Sequence, residues 1–229
     1  MIKHLACIMD GNRRWAQQRS LMPWYGHGQG AEAIKTVMRF CLENGIRYLS
    51  LYAFSIENLK RSAIEKEYIF SYVVSEAHKQ LSEFLERGIR IRFLGDTSLF
   101  PGTVLSTCQT LEKATEQGTN LYVQVLFCYG ARQELLAATK EIAKHVASGE
   151  LTINDITQEI LEKYLWTTGI PNPDLVIRTG GFRRLSNFLL YQSAYSELYF
   201  TDRLWPEITM QDLNLALEAY QSSQRKFGV

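Results

Sequence analysis

The sequence predicts an α/β fold with a mostly parallel sheet of about six strands flanked by helices. Three observations carry that expectation. Short apolar runs, rich in branched and aromatic residues, alternate with longer stretches whose apolar residues recur at helical spacing. Those helical stretches reach a dozen residues or more, the length that a crossover between parallel strands requires. No Pro/Gly/Ser-rich linker, internal repeat or charge block interrupts the 229 residues, which therefore read as a single domain over 1–229.

The elements follow in order. His4–Met9 reads as a buried strand. Gly28–Glu43 places Ala33, Ile34, Val37, Phe40 and Cys41 on one helical stripe, and Gly45 ends it. Arg47–Phe54 (RYLSLYAF) is a strand. Lys66–Glu86 is a long amphipathic helix with Ile69, Phe70, Val73, Val74, Ala77, Leu81, Phe84 and Leu85 on one face, stopped by Gly88. Ile89–Leu94 is a strand, Val104–Glu116 a helix, Asn120–Phe127 a strand and Arg132–Ala147 a helix. Asp155–Tyr164 reads as helical, with Thr152 or Asn154 as N-cap. Leu175–Arg178 and Asn187–Tyr191 read as short strands, and Met210–Gln221 closes the fold with a helix.

Composition narrows the function classes. Hydrophobic residues make up 46% and charged residues 21%, an ordinary globular balance that excludes disordered and fibrous readings. Twenty-five Lys+Arg against 24 Asp+Glu leave a net charge of +1, so the chain is not expected to bind nucleic acid, which calls for a basic excess. Arg outnumbers Lys 15 to 10, and Arg is the better bidentate ligand for phosphate. The four cysteines, Cys7, Cys41, Cys108 and Cys128, share no Cys-x-x-Cys spacing and sit in apolar stretches. They read as reduced, buried thiols of a cytoplasmic protein. No apolar run is long enough to span a bilayer.

In open α/β sheets ligands bind beyond the carboxyl ends of the strands, and here those are the most polar parts of the chain. The first strand ends in Asp10-Gly11-Asn12-Arg13-Arg14-Trp15. Asp10 suits a hard cation, and the following helix start, with Arg14 and Arg19, suits an anion. Alone, the segment reads equally as a helix cap. Ser55-Ile56-Glu57-Asn58, followed by Arg61, repeats the pattern after the second strand. Arg178-Thr179-Gly180-Gly181-Phe182-Arg183-Arg184-Leu185-Ser186 gathers three Arg around a double glycine. Glu197 is either a buried, paired acid or a metal ligand, and His27 a capping residue or a ligand contact. P-loop, dinucleotide-fingerprint and nucleophile-elbow motifs are all absent.

Together these segments resemble the cis-prenyltransferases of the bacterial undecaprenyl diphosphate synthase type. The blocks MDGN-x-RW, GH-x-x-G, LYAFS-x-EN, Gly95-Asp96, CYGAR, DLVIRTGG, R-x-SNF and ELYF-x-D-x-LWP occur in order and register over nearly the whole chain. The resemblance implies a homodimeric, magnesium-using transferase. It would condense farnesyl diphosphate with successive isopentenyl diphosphates, in cis, to a long polyprenyl diphosphate, the undecaprenyl carrier of bacterial cell-wall synthesis. It implies a metal role for Asp10 and Glu197 and a catalytic role for Asp10 and Asn58. Gly11, Asn12, Arg14 and His27 would surround the allylic diphosphate, with Ser55, Glu57 and Arg61 opposite. Arg178, Arg184 and Ser186 would bind isopentenyl diphosphate. The matched blocks add Arg13, Trp15, Arg19, Ile56 and Leu185 to the substrate-binding set. Arg225-Lys226-Phe227-Gly228 would reach the partner subunit's site. Lys66–Glu86 and Leu121–Phe127 are candidate walls of an apolar tunnel, and release of a long lipid implies work beside the inner face of the membrane.

The chain departs from the family pattern at four places. Arg13 stands where Gly is usual, Pro23 where many members carry Arg, Leu59 where Trp is usual, and Phe182-Arg183 where Glu-His is frequent. Arg13 or Arg19 could replace the contact absent at Pro23. Two other classes compete: a non-catalytic supporting subunit, disfavoured because the acid, amide and Arg positions are kept, and a magnesium-dependent phosphohydrolase, which would need a nucleophile and a supporting acid pair.

Overall fold

The computed structural model describes residues 2–223, so Arg225–Gly228 lie outside the described part. Its strands are β1 (His4–Ile8), β2 (Tyr48–Ser55), β3 (Ile89–Leu94), β4 (Leu121–Tyr129), β5 (Leu175–Arg178) and β6 (Glu197–Phe200). Its helices are α1 (Asn12–Gln17), α2 (Tyr25–Glu43), α3 (Ala63–Glu86), α4 (Gly102–Ala114), α5 (Ala131–Ala147), α6 (Gln158–Tyr164) and α7 (Met210–Ser222). The six strands form one sheet in the order β3-β4-β2-β1-β5-β6, and every pairing is parallel.

The central strand explains the two layers. All five residues of β1 are buried, as a parallel strand covered on both faces must be. Side chains alternate across a strand. Leu5 and Cys7 therefore join the core beneath α2, α3 and α7, with Val37, Phe40, Trp205 and Leu213. Ala6 and Ile8 face the other way, onto Tyr129, Phe188 and Leu189. Capping residues start the helices: Ser62 Oγ accepts from Glu65 N at α3, and the Thr209 and Asp212 side chains cap the α7 N-terminus reciprocally.

Two expectations are corrected. Asn187–Tyr191 is not a strand: Ser186, Asn187 and Leu189 have φ of 51°, 66° and 42°. Its apolar residues plug the core as a coil, while Asn187 O and Oδ1 accept from Ala131 N (2.8 Å) and Arg132 N (2.9 Å) at the start of α5. The sixth strand is instead Glu197–Phe200. The stretch Asp155–Tyr164 is broken: Thr152 and Asp155 cap a short 3₁₀ turn, Ile153–Asp155, and Thr157 starts α6 afresh.

Two polar groups inside the core are held by complete partner sets. Glu134, 1% exposed, accepts from Tyr129 Oη, Thr167 N and Oγ1, and Gln192 Nε2. It thereby fastens the coil after β5 to α5. His4 donates from Nδ1 to Pro171 O at 2.6 Å and meets Ser50 Oγ with Nε2 at 2.9 Å. Burial lowers its pKa from the usual 6.5 to about 4. The unfolded chain therefore takes up a proton between those values that the folded chain refuses. Stability should be fully present above about pH 6.5 and fall as the pH drops toward 4, with His4 contributing roughly 3 kcal/mol. Urea midpoints measured across this range should show a shallower slope for His4→Gln than for the wild type. Equal slopes would exclude His4 as the titrating group.

Candidate active site

β2, β1 and β5 lie side by side, and Ile8 pairs with both Tyr52 and Arg178, so their carboxyl ends open on one edge of the sheet. Asp10 follows at that edge. Its Oδ2 accepts from Arg178 Nη2 at 2.8 Å and its Oδ1 from Arg14 Nη2 at 3.2 Å. The buried Thr179 hydroxyl holds the Asp10 backbone, donating to its carbonyl at 2.7 Å and accepting from its N–H at 3.0 Å. Gly11 then turns the chain into α1 with φ 113°, and a Cβ there would lie 2.9 Å from Leu204. Only glycine serves that backbone without strain.

Two adjoining cavities open around Asp10. One, about 340 Å³, is bounded by the segment from Asp10 to Arg14 together with His27, Asn58 and Arg61. The other, about 540 Å³, is bounded by Asp10, Ser55, Glu57, Asn58, Arg61, Arg178 and Ser186. Asp10, Tyr52, Asn58 and Arg61 form a common wall. A third cavity of about 160 Å³, lined mostly by apolar side chains of α2, α3 and the strands β2, β3 and β4, meets the first at Met9 and Ala53. Tyr72, Val73, Phe84, Val123 and Val125 are among its walls.

Arg13, Arg14 and Arg61 outnumber the single carboxylate, Asp10, in the smaller cavity, and Arg61 and Arg178 match Asp10 and Glu57 in the larger. Beside the smaller one, Arg61 donates to buried Glu65 at 3.0 Å, and Arg13 stands 3.9 Å from the same carboxylate. Arg61 Nη1 also reaches His27 Nε2 at 3.4 Å, so that nitrogen accepts and Nδ1 carries the proton. Burial, reinforced by the positive charge of Arg61, lowers the His27 pKa to about 4 and keeps the ring neutral. In the larger cavity Arg178, 4% exposed, donates from Nη1 to Arg184 O and to Ser186 Oγ (2.8 Å), while its buried Nε has no partner among the described residues. Arg184 Nε donates to the same hydroxyl at 3.2 Å. Asn58 Oδ1 accepts from Ser55 N at 3.1 Å, which fixes the amide at the common wall. Excess guanidinium in the smaller cleft, and a buried donor unfilled in the larger, suit dianions such as diphosphates.

A family model described as "Putative undecaprenyl diphosphate synthase" matches residues 8–228. The chain belongs to the undecaprenyl diphosphate synthase family. It is 42% identical over 228 residues to a tritrans,polycis-undecaprenyl-diphosphate synthase (geranylgeranyl-diphosphate specific) of Pyrococcus abyssi, covering 99% of this chain and 86% of that one. It is 39% identical to an isoprenyl transferase of Clostridium perfringens, covering 100% of this chain and 90% of the relative. Lavandulyl diphosphate synthase from Lavandula x intermedia, solved with dimethylallyl diphosphate, superposes with a TM-score of 0.96 at 31% identity, covering 100% and 98% of the two chains. The protein is thus a cis-prenyltransferase of isoprenoid biosynthesis.

Most of the residues expected of this prenyltransferase meet at the two cavities, but six do not line them; of these, Arg184 reaches the larger cavity only through its bond to the Ser186 hydroxyl. Arg19 stacks 4.3 Å over the Trp15 ring and pairs with Glu207 at 2.9 Å, so neither it nor Trp15 borders either cavity. Of the two candidates to replace the contact absent at Pro23, only Arg13 lines the cleft. Ile56 lies in the 3₁₀ turn after β2, and Leu185 packs against the core under the late coil. Glu197 opens β6 in register with Leu175, three residues, or ~10 Å, back from the row of Arg178 and Phe200. Among the described residues no group of three or more His, Cys, Asp or Glu side chains converges on a metal position.

The structure adds four residues that the sequence reading did not single out. Tyr52 separates the cavities and donates to the Tyr129 and Ser186 carbonyls, both at 3.3 Å. Thr179 clamps Asp10, and Asn187 Nδ2 donates to Glu57 at 3.0 Å. Glu65 anchors Arg61 and stands 3.6 Å from His27 Nε2. The Ser62-x-x-Glu65 spacing at a helix start, four residues after Arg61, was the available signal for it. Glu65→Gln should leave Arg61 without its counter-charge and lower stability by about 1–3 kcal/mol. The check is the urea midpoint at neutral pH, where an unchanged value would show that the Arg61 pair contributes nothing.

Proposed function

We propose that this prenyltransferase condenses farnesyl diphosphate with isopentenyl diphosphate, repeatedly and with Mg²⁺, to a long polyprenyl diphosphate of undecaprenyl type. The observation that carries the reading is the arrangement of the three cavities. Two polar clefts share a wall, and one of them continues into an apolar cavity. The smaller cleft would take the allylic diphosphate, with the hydrocarbon tail directed past Met9 and Ala53 between α2 and α3. The larger would take isopentenyl diphosphate on Arg178, Arg184 and Ser186. The two reacting carbons would then meet at the wall of Asp10, Tyr52, Asn58 and Arg61.

In the reaction the isopentenyl double bond forms a new bond to allylic C1, the C1–O bond breaks with its electron pair leaving on the diphosphate, and a proton is lost next to the new cation. Arg13, Arg14 and Arg61 stabilise the charge that builds on the departing diphosphate. Neutral His27 adds a hydrogen-bonding group without competing for a proton above about pH 4. Asn58, held by Ser55 N, faces both clefts, where its amide can orient the proton-accepting diphosphate oxygen.

Asp10 fits a Mg²⁺ role. It is a lone carboxylate at the junction of two phosphate-binding clefts, and Mg²⁺ is commonly held by one or two carboxylates plus substrate phosphates and water. When bound, the ion would neutralise diphosphate charge. Glu197 enters only as a ligand that an assembled dimer could supply, since within one chain its strand separates it from Asp10. Homodimer formation is supported by the unpaired edge of β6, where Leu198 is exposed.

Among the described residues no helix is long and apolar enough to cross a membrane. Exposed Leu21, Met22, Tyr25 and Ile64 lie on the α1–α2 connection, the start of α2 and the start of α3, where Trp24 and Tyr68 approach to 6.4 Å between ring centroids. These side chains support contact with the inner membrane surface during product release, in a cytoplasmic protein.

The reading is tested by incubating purified protein and labelled isopentenyl diphosphate with farnesyl, geranylgeranyl or dimethylallyl diphosphate in turn, with Mg²⁺ or with EDTA. The extracted products are then resolved by length. Farnesyl diphosphate should give the highest kcat/KM and a long product, lost in EDTA. A preference for either other primer, or a single condensation, would refute the finer assignment. Asp10→Asn should lower turnover by about 10²-fold or more with the circular dichroism spectrum retained.

A further inference from the structure

Phe182 stands on a backbone that only glycine can make. Gly180 and Gly181 have φ of 84° and 78°. A Cβ on Gly180 would lie 2.3 Å from Arg14 Nη2, and one on Gly181 would lie 2.9 Å from Asp202 Oδ1. The turn is pinned by Gly180 N donating to Arg203 O at 2.6 Å and Gly181 N to Thr201 O at 2.9 Å. It carries the Phe182 ring out to the surface beside Arg178 and Arg184, with 42% of the residue exposed. A phenylalanine so exposed contributes little to the core, so its placement needs another reason.

The ring is approached by three guanidinium groups. The central carbon of Arg184 lies 4.2 Å from the ring centroid, that of Arg14 4.9 Å and that of Arg178 5.9 Å. Asp10 balances Arg14 and Arg178 with a single negative charge, and among the described residues Arg184 has no carboxylate partner. Three cations around one carboxylate repel one another when no anion is bound. A carboxylate in place of Phe182 would relieve that repulsion but would also compete with an incoming diphosphate. The negative face of an aromatic ring attracts the same cations while carrying no formal charge.

We propose that Phe182 is a positioning residue for the diphosphate of isopentenyl diphosphate, gathering Arg178 and Arg184, next to Arg14 of the adjoining allylic cleft, by cation–π attraction and leaving their surplus charge for the ligand. The inference rests on the assignment of that cleft to isopentenyl diphosphate. It also explains a departure from the family pattern: the ring supplies without charge an attraction that an acidic residue there would supply with it.

The test compares wild type with Phe182→Leu, Phe182→Trp and Phe182→Tyr. Phe182→Leu keeps an apolar side chain and removes the ring. It should raise KM for isopentenyl diphosphate about tenfold, equivalent to about 1.4 kcal/mol, with kcat within about twofold and an unchanged melting temperature. Phe182→Trp and Phe182→Tyr should restore KM. In calorimetry, the Kd for inorganic pyrophosphate should follow the same order, a readout independent of turnover. Equal KM and Kd in wild type and Phe182→Leu would overturn the proposal. So would a Trp variant as impaired as the Leu variant, or an effect on kcat alone. A wild type that binds pyrophosphate in a Phe182-dependent way but does not consume isopentenyl diphosphate would overturn the assignment of the cleft while leaving the role of the ring intact.

Discussion

One carboxylate holds two halves of the chain together at the site. Asp10 leaves the first strand, Arg178 closes the fifth, and they meet only because β1 and β5 pair in parallel and in register. Arg14 reaches the same carboxylate from the other side, one helical turn on. Without Asp10 the guanidinium groups would stand unneutralised at a strand-end cleft. Without the guanidinium groups the carboxylate would face only water and the Thr179 clamp on its backbone. The polar cavities take their shared wall from this junction, so the geometry of both clefts depends on the pairing of two short strands.

That dependence separates what was legible in the sequence from what was not. Helical stretches such as Lys66–Glu86, within α3, and strands such as Ile89–Leu94 were legible because burial imposes a regular period on side chains. The segment Asn187–Tyr191 was not. Phe188 and Leu189 are as apolar as a strand, but they are buried by a coil with left-handed backbone, and composition alone does not separate the two. Glu197–Phe200 does not read as a strand in the sequence, because an edge strand with exposed Leu198 shows no clean alternation.

The site was legible to the extent that it follows strand ends. Asp10, Asn58 and Arg178 lie at or within three residues of one, Arg61 and Ser186 follow farther along the same loops, and all meet around the shared wall. What sequence could not supply was the partner of each. Trp15 and Arg19 belong to a surface stack with Glu207, although they sit inside the same motif as Asp10. Glu65 and Thr179 matter through contacts made across the fold, and a residue whose effect passes through another leaves only a faint local trace. Glu197 lies at the far end of its strand, so its motif alone would misplace it.

The four thiols carry a practical consequence. Cys7, Cys41, Cys108 and Cys128 are all buried and unpaired. Burial raises each thiol pKa, to about 12 for Cys108 and Cys128 and well above the ordinary thiol value for Cys7 and Cys41. Alkylation proceeds through the thiolate, so the folded protein should react only slowly with maleimides. A single cysteine introduced at an exposed position would carry a fluorophore against little native background. Distances across the clefts could then be followed in solution with the natural cysteines left in place.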